Sequence, residues 1–225
     1  PGLTLARLLK EKYPHLHITL GGPIFSVNAD QLIGHPEFFD DFCHSVVTFE
    51  GEEPMHRLLS ALKADDSLST VPNLLHLDGR EVVQNKERVE LRFEELPHPD
   101  FDGLPMDKYL SPYPILPVLQ SRGCYWGKCT FCTHSFVYGH RYGKQKTQAM
   151  VDELEKLMKK YNTKYFTFSD EAVSPHSLND VSEEMIERRV EIRSLALLKF
   201  EKVMDEELFG KMKQAGVIFL MFGLE

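Results

Sequence analysis

The stretch Ser121-Arg122-Gly123-Cys124-Tyr125-Trp126-Gly127-Lys128-Cys129-Thr130-Phe131-Cys132 holds three of the chain's four cysteines within nine residues. It follows an apolar, strand-like run from Ile115 to Leu119. Soft thiolates gathered in one loop favour iron–sulfur clusters or zinc, because sulfur gives covalent metal–ligand bonding that hard oxygen ligands do not. A cubane cluster needs four ligands, and this loop offers three. One iron would then stay open to a small molecule, which suits chemistry better than stapling. A disulfide framework does not fit, since four cysteines are few for 225 residues and close clustering reads as metal or redox. A structural zinc set of Cys124, Cys129, Cys132 and His134 is the rival, although zinc ligands usually come as two separated pairs. Cys43, between Phe42 and His44, reads as a small buried hydrophobe.

Downstream, the pattern alternates. Val151, Leu154, Leu157, Met158 and Tyr161 recur at helical spacing within residues 147–161, with Asp152, Glu153, Lys156, Lys159 and Lys160 on the other face. Residues 164–168 read as a strand, 178–188 as an amphipathic helix and 190–198 as a strand. Asp205 is a fitting N-cap for a helix to Ala215, with Gly216 as its stop, and residues 217–222 form a further apolar strand. Such alternation predicts parallel strands joined by right-handed crossovers, half or more of a (β/α) barrel. Its working end lies where the strands' carboxyl ends meet the loops.

The cysteine loop resembles the cluster loop of radical S-adenosylmethionine (SAM) enzymes, whose usual pattern is Cys-x3-Cys-x2-Cys with an aromatic before the last cysteine. Phe131 takes the aromatic place and Gly123 precedes the first cysteine. Tyr125, Trp126, Gly127 and Lys128 make the first spacing four residues instead of three. The resemblance implies a [4Fe–4S] cluster on Cys124, Cys129 and Cys132, with SAM chelating the fourth iron and Phe131 near its adenine. The segment Phe168-Ser169-Asp170-Glu171 is similar to the family's motif for the SAM amino group, without a choice between the two acids. Gly223-Leu224-Glu225 is like the family's Gly-x-Glu segment near the SAM ribose. Lys199-Phe200-Glu201, at the end of the third strand, matches nothing in that pattern.

The amino-terminal part is a separate unit. Leu5, Leu8 and Leu9 mark a helix, and Leu16, Ile18 and Leu20 alternate as a strand into Gly21-Gly22-Pro23. Residues 45–49 read as a strand, followed by Glu50-Gly51-Glu52-Glu53-Pro54 and a helix bearing Met55, Leu58, Leu59 and Leu62. Glycines at a strand's carboxyl end let a ligand approach the backbone of an open α/β sheet. The order of parts resembles cobalamin (B12)-binding domains fused ahead of radical SAM barrels. Gly21 and Gly22 match the glycine pair that lines the corrinoid there. Phe49-Glu50-Gly51-Glu52 matches a Gly-Glu-Gly-Glu stretch, except that Phe49 replaces the leading glycine. The resemblance thus implies cobalamin near Gly21, Gly22 and Glu52. The run from Leu96 to Pro105 looks like the usual connector of this fusion. No Asp-x-His-x-x-Gly segment, the family's source of a cobalt-binding histidine, occurs in the sequence.

The expected class is α/β: the later half of an open Rossmann-like B12-binding sheet (1–66), a hairpin and proline-rich connector (67–114), and the first part of a radical SAM (β/α) barrel (115–225). The chain reads as a fragment cut at both ends. Asp78-Gly79 between two apolar runs is the hairpin signal. A formal charge of −8 argues against a general nucleic-acid grip, no apolar run predicts a membrane span, and an oxygen-sensitive cluster suits a reducing cytoplasm. The ten histidines lack ligand spacing and read as surface or turn residues. By resemblance the activity is reductive cleavage of SAM to a 5′-deoxyadenosyl radical, with cobalamin-dependent methyl transfer as the favoured variant. A reductant such as flavodoxin or ferredoxin would serve it, and the substrate, small molecule or peptide, is open. A zinc-stabilised binding module and a cluster-bearing electron-transfer protein are the alternatives.

Overall fold

The computed structural model describes residues 1–89, 92, 93, 96–137 and 141–223. The first unit comprises Pro1–Leu91 with Phe136–Gly139. It runs through α1 (Gly2–Lys12), β1 (Thr19–Gly21), the short helices α2 (Pro23–Val27), α3 (Ala29–Ile33) and α4 (Pro36–Phe42), β2 (Ser45–Val47), α5 (Glu52–Ala64), β3 (Leu74–Asp78) and β4 (Glu81–Gln84). Val46 and Val47 are both buried, and neighbouring strand residues point to opposite faces, so this sheet is covered on both sides. Val46 and Leu75 join Ala6, Phe39 and Cys43 in one cluster, whereas Val47 and Leu74 pack with Leu58 and Ala61 of α5.

The strand order is β1-β2-β3-β4, with β1 and β2 parallel and the remaining pairs antiparallel. The Asp78-Gly79 hairpin forms as expected, with Gly79 at φ +63°. Its first strand hydrogen-bonds to β2, so the hairpin extends the first sheet. The leucine-marked helix α1 forms as expected; on it Leu5 and Leu8 are 58% and 56% exposed, while Ala6 is buried and Leu9 partly so. Cys43 is fully buried, and burial pushes its thiol up to about 12, consistent with a packing role.

Three histidines also depart from the surface expectation. His76 is buried, its Nε2 3.2 Å from Asn85 Oδ1, and His44 Nδ1 accepts from the Ile18 N–H at 2.9 Å. His17 Nε2 lies 2.8 Å from Ser45 Oγ.

The second unit comprises Arg92–Ser135 and His140–Glu225. It contains β5 (Ile115–Val118), β6 (Ser121–Arg122), the first residues of the short helix α6 (His134–Val137), β7 (Gly143–Lys144), α7 (Thr147–Tyr161), β8 (Tyr165–Phe168), α8 (Pro175–Arg188), β9 (Arg193–Lys199), α9 (Glu206–Gln214) and β10 (Val217–Gly223). Strands β5, β8, β9 and β10 are parallel and adjacent in chain order, as repeated βαβ crossovers require. Alternate residues Leu116, Val118, Phe166, Phe168, Ala196 and Leu198 face one way, onto Leu154 of α7, Leu178 and Met185 of α8 and Met212 of α9. This is the core of the second unit. Asp205 caps α9 as expected, accepting from the Leu208 N–H at 2.9 Å, and Gly216 follows at φ +90°.

Two outcomes follow. A Cβ at Gly216 would sit 2.0 Å from the Ile192 carbonyl oxygen. Gly216→Ala is therefore expected to cost well over about 1 kcal/mol, and Asp205→Ala about 1 kcal/mol, both read by urea unfolding. Burial first, and His44 second, lower the His17 pKa from 6.5 to about 4. The unfolded chain then binds the extra proton, so stability is full above pH 6.5 and is lost as pH falls toward 4. Melting wild type and His17→Gln between pH 7 and 4 checks this; the variant's stability should vary less over that window.

Candidate functional site

A long excursion leaves the sheet after β5 and returns as β7, and its base is tied shut. Ser121 and Arg122 pair antiparallel with Lys144 and Gly143, forming a two-residue ladder beneath the cysteines. Gln145 reinforces the closure: its backbone N–H donates to Gln120 O at 2.9 Å and its Nε2 to Leu119 O at 3.0 Å. Asp170, just past β8, clamps the same point. It is 4% exposed and accepts from the Gln120 N–H (3.1 Å), the Ser121 N–H (2.6 Å) and Ser121 Oγ (2.5 Å). Burial pushes its carboxyl up to about 6, against the hydrogen bonds that pull it down, so the carboxylate prevails at neutral pH.

Immediately above the ladder, Gly123 has φ +83°, and a Cβ there would lie 2.1 Å from the Arg141 carbonyl oxygen. The two arms of the excursion approach so closely that only glycine fits. Cys124, Cys129 and Cys132 follow as free, half-buried thiols, and the Cys132 N–H donates to Cys129 O at 3.2 Å to close a turn.

The three cysteines line one cleft of about 170 Å³, together with Trp126, Phe131, His134, Glu171, Leu197, Lys199 and Gly223. Phe131 is 67% exposed. Its walls come from the excursion and from the carboxyl ends of β8, β9 and β10, the expected working end. Glu171 faces the cysteines here, with Oε1 3.7 Å from His134 Nδ1.

The candidates in the segment after β8 therefore separate by position. Glu171 reaches the cleft, Asp170 is committed to the backbone beneath it, and Ser169 lines a different cavity of about 410 Å³ beside Pro97, His98, Glu153 and the end of β5. The larger cavity is not the one that holds the thiols, so chemistry and not volume singles out the site. Gly223 lines the cleft, while Glu225 lies outside the described residues. Among the described residues no three His, Cys, Asp or Glu donors converge as a single-ion site. Thiolates of a cubane need no common point, since each binds its own iron. The donor set is soft, accessible and three in number, which fits such a cluster.

Sequence reading missed the contribution of the third strand end. Lys199 Nζ lies 3.9 Å from the centre of the Trp126 ring, and Tyr125 Oη donates to Glu201 Oε1 at 2.5 Å. Burial, and next the Glu201 bond, push the Tyr125 phenol above its ordinary range, keeping it a donor. The only advance signal was the surplus residue in the first cysteine spacing.

In the first unit, Gly21 ends β1 beside Val47 at the end of β2, and Gly22 has φ +105°. Glu52 is exposed at the start of α5. Phe49, standing where the resembled motif has glycine, has φ +58°, and the Arg88 guanidinium sits 3.8 Å from its ring centre.

The fold thus described, an α/β sheet followed by parallel βα units with cysteines at the first strand's end, is that of cobalamin-dependent radical SAM enzymes. It is shared with the radical SAM methyltransferase TsrM from Kitasatospora setae (TM-score 0.70, 19% identity, 99% of this chain and 44% of that one). It is shared too with the cobalamin-dependent SAM radical enzyme OxsB, at TM-score 0.71 and 21% identity over 97% of this chain and 33% of that one. One TsrM structure holds cobalamin and a [4Fe–4S] cluster, and the OxsB structure holds aqua-cobalamin and SAM.

In sequence the chain is 26% identical, over 99% of its length, to an uncharacterized methyltransferase of Pyrococcus horikoshii. It is also 26% identical, over 97% of its length, to the anaerobic magnesium-protoporphyrin IX monomethyl ester cyclase of Cereibacter sphaeroides. It spans 48% and 37% of those two proteins. No protein-family model matches the chain. The family resemblance and the fold class read from the motifs are borne out by these relatives and neighbours.

Asp170→Asn leaves one backbone N–H facing an amide NH2, and an orphaned buried donor costs about 1–3 kcal/mol. The expected result is that loss in chemical denaturation, with faster reaction of the three thiols toward a thiol reagent in metal-free protein. Gly123→Ala should act in the same direction.

Proposed function

We propose that the chain is part of a radical SAM enzyme, with a [4Fe–4S] cluster held by Cys124, Cys129 and Cys132. The observation that carries this is the meeting of three free thiols with Glu171 in one cleft at the carboxyl ends of parallel strands. Held by those cysteines, the cluster would supply one-electron reductive cleavage of SAM, drawing its electron from a reductant such as flavodoxin or ferredoxin, and cobalamin would supply methyl transfer. The chain's own residues bind and orient. Glu171 is the carboxylate placed to accept from an ammonium group, by a charge-assisted hydrogen bond. Phe131 offers an aromatic face to adenine, and the Gly223–Glu225 segment is assigned to the ribose. Asp170 holds the loop base beneath the cysteines.

For the first unit, Gly21 and Gly22 at the strand ends, with Glu52, are assigned to the cobalamin side. The glycines leave backbone open to a flat ligand. The relatives named as methyltransferases support methyl transfer as the reaction class. Among the described residues no helix is long and apolar enough to cross a membrane. The domain reading follows the same lines: a cobalamin-side α/β unit that includes the hairpin, then a barrel unit beginning after the connector.

Anaerobic reconstitution with iron and sulfide tests the reading. The expected outcome is brown protein with about four irons per chain, whose reduced EPR signal shifts on adding SAM and which releases 5′-deoxyadenosine. Each of Cys124→Ala, Cys129→Ala and Cys132→Ala should lose most of that iron. Zinc as the sole bound metal, or iron retained by all three variants, would sink the assignment.

A further inference from the structure

The four-residue spacer between Cys124 and Cys129 is not a slack insertion, because its first two side chains are both held from the end of β9. Tyr125 Oη bonds Glu201 Oε1, and the Trp126 ring lies under Lys199 Nζ at 3.9 Å. Lys128, on the spacer itself, brings a second ammonium to 5.1 Å from the same ring. The holding segment is itself fixed: Phe200, between Lys199 and Glu201, stacks on Phe222 of β10 with ring centres 4.1 Å apart and planes at 17°. On its other side Tyr125 packs edge-on against Tyr142, with ring centres at 6.2 Å, next to the ladder that closes the excursion. Gly127, at φ +60°, lets the chain turn back toward Cys129 once those two side chains are seated.

We propose that Lys199-Phe200-Glu201 is a built seat for the cysteine loop, with Lys199 and Glu201 as positioning residues for Cys124. Freezing a residue costs about 1–2 kcal/mol of backbone entropy, so an unanchored spacer would leave Cys124 free to wander relative to Cys129 and Cys132. Anchoring the two residues directly after Cys124 supplies that order before any metal arrives. Lys199 has a second consequence. It lines the same cleft as the thiols, so the seat also puts a fixed cation beside whatever anionic group the cysteines hold. The metal half of the inference rests on the cysteines being cluster ligands. The seat itself does not.

Trp126 is the chain's only tryptophan, which makes its fluorescence a direct reporter of the loop. In metal-free protein, Lys199→Met and the pair Tyr125→Phe and Glu201→Ala should each raise acrylamide quenching of Trp126. A cation–π contact at an exposed site corresponds to about a two- to fivefold change in the seated population. Lys199→Arg should restore protection, since guanidinium also stacks on indole, whereas the charge control Lys202→Met should leave quenching as in wild type. In reconstituted protein, Lys199→Met should lose iron to a chelator faster than wild type, and Lys199→Arg should not. Wild-type quenching in Lys199→Met and Glu201→Ala overturns the seat. Raised quenching with unchanged iron release overturns the positioning role. A wild-type protein that takes up zinc instead of iron counts against the proposed function alone, because the quenching comparison still decides the seat.

Discussion

A buried carboxylate holds the site together. Asp170 comes from the end of β8 and takes the backbone N–H groups of Gln120 and Ser121, where the neighbouring strand β5 gives way to the cysteine excursion. Both strands are parallel, so their carboxyl ends lie side by side, and an acid just past one can reach the backbone just past the other. Removed from water, that carboxylate has no alternative partners of equal quality, which makes the junction rigid and specific. The ladder at Ser121 and Arg122, the turn at Gly123 and the placement of the three thiols all build on this fixed point.

The remaining strand ends divide the labour. One face of the second unit's parallel sheet is spent on the core beneath α7, α8 and α9, which leaves the loops free to carry chemistry. The residues after β8 supply both the clamp, Asp170, and the cleft carboxylate, Glu171. The end of β9 carries the spacer's partners, and β10 closes the cleft with Gly223. Neighbouring residues thus do unlike work because a strand end aims successive side chains in different directions.

Much of the architecture was legible in residue patterns. The helix over Thr147–Tyr161, the Asp205 cap, the Gly216 stop and the Asp78-Gly79 turn all came from local signals, since caps and tight turns depend on a few adjacent residues. Patterns failed where the outcome depended on distant partners. Leu5 and Leu8 have helical spacing yet face outward, because spacing tells that a face is apolar and not that something covers it. His76 and His17 looked like surface residues, and only the folded sheet supplies the Asn85 and Ser45 groups that hold them inside.

At the site the same division holds. Three cysteines in nine residues point to soft-metal binding without any fold, because ligand type and count are properties of the chain. The adjacent acids Asp170 and Glu171 could not be told apart in sequence, and Lys199-Phe200-Glu201 had no meaning there. Their roles depend on which strand end lies beside which, and on which carboxylate is removed from water and which reaches the cleft. Those are distances between residues far apart in the chain, and only tertiary packing sets them.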